Sequence, residues 1–295
     1  MQFQRQRMRC DGGSFELSKS ELYSSMSSEG VKSYFQRVNV SGIWKLQENT
    51  MTMLAAEIIG TAMLLYIGCM GSVGSMGFAP PALQTALAFG LSVNFIIMTI
   101  GHISGAHLNP AITIGAVILG LKSIPTGMVY ILGQLIGAIV GYGILKWITP
   151  VELFNDGKSN STESLCVTVV YPGLSNVQGL LIEIFCTCFL ICAACATWDP
   201  RCSHLTDSVA LKFGFSVTLL SFTAGPYTGC GMNPVRSFAP ALWNGNWKDH
   251  WIYWVGPILG ALLGTFAYQL LFTETQPNRK KSICLTDIKP VTVLS

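Results

Sequence analysis

The sequence predicts an all-α membrane protein with six transmembrane helices and two re-entrant half-helices arranged as an inverted repeat. Three observations carry this. No Asp, Glu, Lys or Arg lies between Glu57 and Lys122 or between Asp249 and Glu274, and a water-facing surface cannot be built from such stretches. The device Gly105-Ala106-His107-Leu108-Asn109-Pro110-Ala111 returns in altered form as Gly229-Cys230-Gly231-Met232-Asn233-Pro234-Val235-Arg236. Finally, each half holds three spans, an odd number, so two related halves must run through the bilayer in opposite directions.

Residues 1–48, rich in Ser, Gln and Arg, lack the apolar content to bury a core and are expected to form a disordered cytoplasmic tail. They contain no apolar segment of the kind a cleaved leader carries, so the first span is expected to serve as its own insertion signal. The channel domain is expected over 49–272, with spans near 51–72, 82–103, 124–147, 176–198, 206–225 and 248–272. Its repeat halves cover about 49–147 and 176–272, with a linker at 148–175. A tail follows at 273–295.

In each copy of the repeated device, Asn stands before Pro at the head of an apolar run, which suits Asn as N-cap and Pro at the first helical position. The runs, Pro110 to Gly120 and Pro234 to Trp243, are about half as long as a membrane span. The halves match elsewhere too. Glu57 precedes Asn109 by 52 positions and Glu183 precedes Asn233 by 50, while Leu-Gly133-Gln-Leu-Ile-Gly137 is echoed by Val-Gly256-Pro-Ile-Leu-Gly260. Gly60, Gly133, Gly137, Gly141, Gly256, Gly260 and Gly264 predict close helix contacts.

Composition excludes several function classes. Half the residues are hydrophobic, 11% are charged, and the net charge of +3 comes mainly from the tails, so nucleic acid is not a partner and the bilayer is. No nucleophile–base pair, metal-ligand cluster or cofactor motif is present, so the chain reads as a non-enzyme without a cofactor. Of ten cysteines, Cys186, Cys188, Cys192 and Cys195 share one span, which predicts no disulfide framework. Seven Lys or Arg before the first span and four after the last place both termini in the cytoplasm. The 148–175 linker is then extracellular, and its Asn160-Ser161-Thr162 is a glycosylation sequon, used or unused.

Half-helices can end inside a bilayer only where their unpaired backbone groups face protein or water. An aqueous passage supplies that water. Oppositely oriented half-helices bring two helix starts together, each with about half a positive charge, which raises a barrier to cations. Asn109 and Asn233 can direct amide hydrogens into the passage and orient a water against relaying protons. Glu57 and Glu183, costly in a bilayer unless hydrogen-bonded, are expected to accept from the loops leading into the half-helices. Arg236, the sole charge between Lys212 and Lys248, is a functional candidate by its position.

On the motifs Ser-Gly-Ala-His-Leu-Asn109-Pro110-Ala111 and Tyr-Thr-Gly-Cys-Gly-Met-Asn233-Pro234-Val235-Arg236-Ser-Phe, residues 50–272 resemble an aquaporin of the major intrinsic protein family. The resemblance implies a homotetramer with one pore per subunit, and a narrow extracellular filter. It assigns to that filter Phe89, twenty positions before Asn109, together with Arg236, Cys230 (carbonyl to the lumen, thiol open to mercurials) and Ser221. It also implies that His107 lines the cytoplasmic half of the pore and that Glu57 and Glu183 brace the loops. Ser221 stands twelve positions before Asn233, where strict water channels carry His. That loss is similar to the insect entomoglyceroporins and implies a wider, polar gap. Ser237, Ala241 and Tyr253-Trp254 instead resemble water-channel positions, and Val235 departs from the motif's Ala. The resulting expectation is a passive plasma-membrane channel for water and small uncharged solutes such as glycerol and urea. The alternatives are a strictly water-selective pore and a junctional scaffold protein.

Overall fold

The computed structural model describes residues 44–74, 80–150, 153 and 165–272. The N-terminal tail through residue 43, the sequon at Asn160 and residues 273–295 lie outside the described residues. Among the described residues the architecture follows from six long α-helices and two short ones. The long helices are α1 (Thr50–Met70), α2 (Ala82–Ser104), α4 (Ile124–Ile148), α5 (Asn176–Trp198), α6 (Val209–Thr228) and α8 (Ile252–Phe272). All six are long and apolar enough to cross a membrane. The short ones, α3 (Pro110–Ile118) and α7 (Pro234–Asn244), have 9 and 11 residues, together about the length of one span. Two spans start later than the expected 206 and 248, because 206–208 and 248–251 are taken up by turns.

Local chemistry sets the boundaries. Ser123 Oγ accepts from Thr126 N at the start of α4, with Pro125 in the first turn. Ser175 and Gln178 form a reciprocal capping box at the start of α5. α2 and α6 both end on a glycine with left-handed φ, 87° at Gly105 and 74° at Gly229, a backbone conformation that costs glycine no Cβ clash. The chain can therefore turn sharply into each half-helix.

Packing repeats across the halves. α1 lies on α4 and α5 on α8, while α2 and α6 meet between the halves. Each half-helix crosses over, α3 packing on α8 and α7 on α4. Contact is close because glycines line it. A Cβ on Gly137 would sit 2.3 Å from Ile58 O, one on Gly141 2.1 Å from Ala62 O, and one on Gly260 2.5 Å from Ile184 O. Outward-facing positions are apolar, as at Met98 (71% exposed), Met128 (67%) and Leu219 (62%), the surface expected where lipid is the solvent.

One pairing departs from the sequence expectation. Cys69, in the last turn of α1, forms a disulfide with Cys166, 97 residues on. Neither spacing nor neighbouring residues mark the pair, because it depends on the 165–171 segment folding back over the end of α1.

Candidate functional site

Everything at the centre follows from the two Asn-Pro turns. Asn109 Oδ1 accepts from Ala111 N at 2.9 Å, and Asn233 Oδ1 accepts from Val235 N at 3.1 Å and Arg236 N at 3.4 Å, so each Asn caps the helix it precedes. The same side chains also reach across. Asn109 Nδ2 donates to Met232 O and Asn233 Nδ2 to Leu108 O, both at 2.9 Å. The two half-helix starts are thus tied tip to tip. Each amide spends one hydrogen on the opposing loop and retains a second.

The loops before the tips hold residues other than glycine in the left-handed region: Ala106 (φ 48°) and Leu108 (57°) in one, Cys230 (48°) and Met232 (50°) in the other. Such conformations persist only where surrounding contacts over-determine them. Two fully buried carboxylates supply those contacts. Glu57 accepts from Ser104 Oγ (2.7 Å), His107 N (2.9 Å), Leu108 N (2.8 Å) and Gln134 Nε2 (2.8 Å). Glu183 accepts from Thr228 Oγ1 (2.6 Å), Gly231 N (2.9 Å) and Met232 N (2.7 Å). The sets correspond residue for residue except that Gln134 has Pro257 in its place in the second half, and Pro brings no donor. Hydrogen bonds of this number are what a carboxylate needs to stay inside.

Two tyrosines complete the brace. Tyr130 OH donates to Ser104 O and Tyr253 OH to Thr228 O, each at 2.8 Å. Neither role emerges from reading one half alone. The signal lies in aligning the halves, since each Tyr stands three positions before its paired glycine, Gly133 or Gly256.

A cavity of 440 Å³ passes the joined tips. Its walls include Phe89, Ser221, Cys230 and Arg236, then Asn109 and Asn233, then His107. Sequence-nominated residues from α2, α6, α7 and both loops therefore share one lumen. Pro110, Ala111, Pro234 and Val235 are buried behind it, and Val235 fills space in the core beside Leu108 and Ala239 without displacing the Asn233 cap.

Arg236 is held from two sides. Its guanidinium carbon lies 4.5 Å above the centre of the Phe89 ring, and Nη1 donates to Cys166 O at 2.7 Å. The Cys230 thiol donates to Leu220 O at 3.2 Å. Beyond the tips, His107 Nδ1 is 3.2 Å from Thr113 Oγ1, and its ring lies tilted against two others, with centroids 4.9 Å from Tyr130 and 5.7 Å from Trp198, which also lines the cavity. Near that mouth, Lys122 Nζ sits 4.9 Å over the Tyr130 ring. Burial lowers the Lys122 pKa, and the charge of Glu57 draws it back up. Among the described residues no cluster of His, Cys, Asp or Glu could hold a metal.

Comparison with known proteins agrees with this geometry. The profile of the Major intrinsic protein family matches residues 45–268. The chain is 35% identical to Aquaporin-2 of Rattus norvegicus over 253 residues, 85% of this chain and 90% of that one. It is 37% identical to Aquaporin-4 of Mus musculus over 252 residues (84% and 73%), and 38% identical to the lens fiber major intrinsic protein of Ovis aries over 253 residues (84% and 92%). The X-ray structure of the aquaglyceroporin from Plasmodium falciparum shares the fold, with a TM-score of 0.65 at 24% identity over 75% of this chain and 96% of that one. With the family profile matched across all six spans and both half-helices, the chain belongs to the major intrinsic protein family, whose members are multi-pass membrane channels and not enzymes.

Proposed function

We propose that the protein is a passive channel for water and for small uncharged solutes such as glycerol and urea, and that it excludes ions and protons. The observation that carries the solute range is Ser221 on the wall of the cavity that also holds Phe89, Cys230 and Arg236. In this reading those four residues are the selectivity filter. Phe89 supplies an apolar wall, the Arg236 guanidinium and the Cys230 carbonyl supply hydrogen bonds, and Ser221 contributes a small hydroxyl where an imidazole would narrow the gap. A polyol needs both width and a row of partners along one side, and this combination offers both.

Exclusion rests on charge. Two half-helix starts direct partial positive charge to the same place, and Arg236 adds a full charge toward one mouth. Asn109 and Asn233, each with one hydrogen still free, hold the oxygen of a water at the centre and turn its own hydrogens outward. Glu57 and Glu183 keep the loops rigid, and His107 lines the opposite half of the passage. The channel acts in the plasma membrane as a homotetramer, with lipid around its outer apolar faces and both termini in the cytoplasm. The disulfide at the far end of α1 supports that orientation, since disulfides form on the oxidising side of a membrane. Asn160, on that same side, is a glycosylation candidate.

The test is stopped-flow light scattering of proteoliposomes in water and glycerol gradients, wild type against Ser221→His. Wild type is expected to pass both. The imidazole is expected to cut glycerol permeability by about tenfold or more, the equivalent of roughly 1.4 kcal/mol of barrier, with a smaller effect on water. A wild type that excludes glycerol as fully as Ser221→His would leave the strictly water-selective reading in its place.

A further inference from the structure

One turn of α1 reaches both partners of the Arg236 guanidinium. The Phe89 ring packs against Gly68, where a Cβ would come within 2.6 Å of ring carbons, so the ring's position depends on this glycine. The next residue, Cys69, is fully buried and bonded through sulfur to Cys166, whose carbonyl receives Arg236 Nη1. Gly68 and Cys69 therefore hold the ring face and the carbonyl between which the guanidinium is gripped. Cys166 is not placed by its own backbone preference, since its φ of 67° lies in the region residues other than glycine avoid. The segment around it is anchored separately: Tyr142 OH donates to Leu165 O at 2.6 Å, and Tyr171 N to Tyr227 O at 2.8 Å. Cutting the sulfur bridge would thus free the Cys166 peptide without releasing the whole segment.

We propose that the Cys69–Cys166 disulfide is a positioning element of the constriction, holding the carbonyl that keeps the Arg236 side chain against the wall and out of the lumen. Without the bridge the Cys166 peptide relaxes, and Arg236 loses its hydrogen bond to protein among the described residues. A guanidinium N–H does not stay unpaired, and the partner within reach is water in the passage. The side chain turns inward and the aperture narrows, more severely for a wide solute than for water. Cys69 and Cys166 thereby become specificity determinants although neither sulfur meets the permeant.

This inference rests on the channel reading above. The experiment uses the full-length protein in proteoliposomes, in three forms: wild type, wild type treated after reconstitution with dithiothreitol, and the double variant Cys69→Ser/Cys166→Ser. Dithiothreitol transfers two electrons and two protons to the bridge, leaving two thiols and closing into its own cyclic disulfide. Alkylation and peptide mapping count the thiols formed. Loss of one grip on the guanidinium, a net hydrogen bond's worth, is expected to lower water permeability per folded channel by about threefold. The glycerol-to-water ratio should also fall, in the double variant and in the reduced protein alike, and recover on reoxidation. A bridge of purely structural value would lower the number of active channels and leave that ratio untouched. The proposal is overturned if channels with both thiols free keep the wild-type ratio and water permeability, or if mapping of the untreated protein recovers Cys69 and Cys166 as separate thiols. Should the double variant not fold, the reduced wild type, already folded, decides. A wild type that passes no water refutes the channel reading, and one that passes water but not glycerol refutes the solute range. In that second case the clamp is still read from water permeability alone.

Discussion

Glu183 shows how much one side chain carries. Its carboxylate takes three donors, two of them backbone N–H groups of a loop in which Cys230 and Met232 hold left-handed φ. An amide of the same shape offers one acceptor oxygen in place of two, and Thr228 alone can reverse its role. Whichever way the amide turns, one N–H of Gly231 or Met232 faces a donor. Glu183→Gln is therefore expected to destabilise the channel by about 1–3 kcal/mol, the cost of an orphaned buried donor, even though it removes a buried charge. Thermal unfolding of the detergent-solubilised protein reads this directly, and a midpoint equal to that of wild type would mean that the loop does not depend on the carboxylate. The residue scale is also where the sequence was most informative. Asn109 and Asn233 were legible because an N-cap before Pro is a local statement, and Glu57 and Glu183 because an acid in an apolar run must find donors. The reciprocal bonds of Asn109 to Met232 O and of Asn233 to Leu108 O were not legible, since they join residues more than 120 positions apart.

Between elements, the distance of approach decides. α1 and α4 meet where Gly137 and Gly141 face the backbone oxygens of Ile58 and Ala62, and those oxygens belong to helical carbonyls that cannot swing aside. Gly141→Val must force the helices apart. The separation would carry Glu57, the residue before Ile58, away from the loop it braces. The expected outcome is a sharp loss of monodisperse protein on size-exclusion chromatography. Gly225→Ala is the comparison, because a Cβ there, in the last turn of α6, meets nothing within 4 Å. Equal recovery of both variants would show that tight α1–α4 contact is dispensable. The glycine spacing announced that contact in the sequence, and apolar length announced the six spans. The first turns of α6 and α8 were misplaced because the expected spans began in the polar stretches 206–208 and 248–251, whose backbone forms turns ahead of each helix. Cys69 and Cys166 escaped altogether, because pairing cysteines that lie in different segments requires knowing how those segments fold together.

At the scale of the molecule, the two halves are alike in backbone and unlike in polarity. Both carry a capped half-helix, a carboxylate brace and a tyrosine strut, yet Arg236 has Ile112 as its counterpart, and Gln134 has Pro257. Water entering from either end meets the same central pair of asparagines, whereas charge is met mainly from one side. Proton exclusion should accordingly have two separate sources. In the proposed reading a hydronium is repelled by Arg236 and by the converging helix starts, whose partial charges persist whatever the side chains do. In the same reading a proton relayed along hydrogen-bonded waters would have to pass a molecule whose oxygen faces Asn109 and Asn233 and which donates away from the centre toward both mouths, so no chain of one polarity would cross. The expectation is that vesicles containing the wild type, given a pH gradient and a potassium–valinomycin clamp to remove the opposing voltage, lose the gradient no faster than empty vesicles while their osmotic water permeability rises at least several-fold. Arg236→Ala removes the side-chain part of the first source and leaves the helix starts and the second, so it should admit small cations more readily than wild type while still blocking most of the proton relay. A fluorescent pH probe inside the vesicles reads both forms. Rapid collapse of the gradient in the wild type would mean that the central water is free to reorient, and the joined tips would then not be what separates water flow from proton flow.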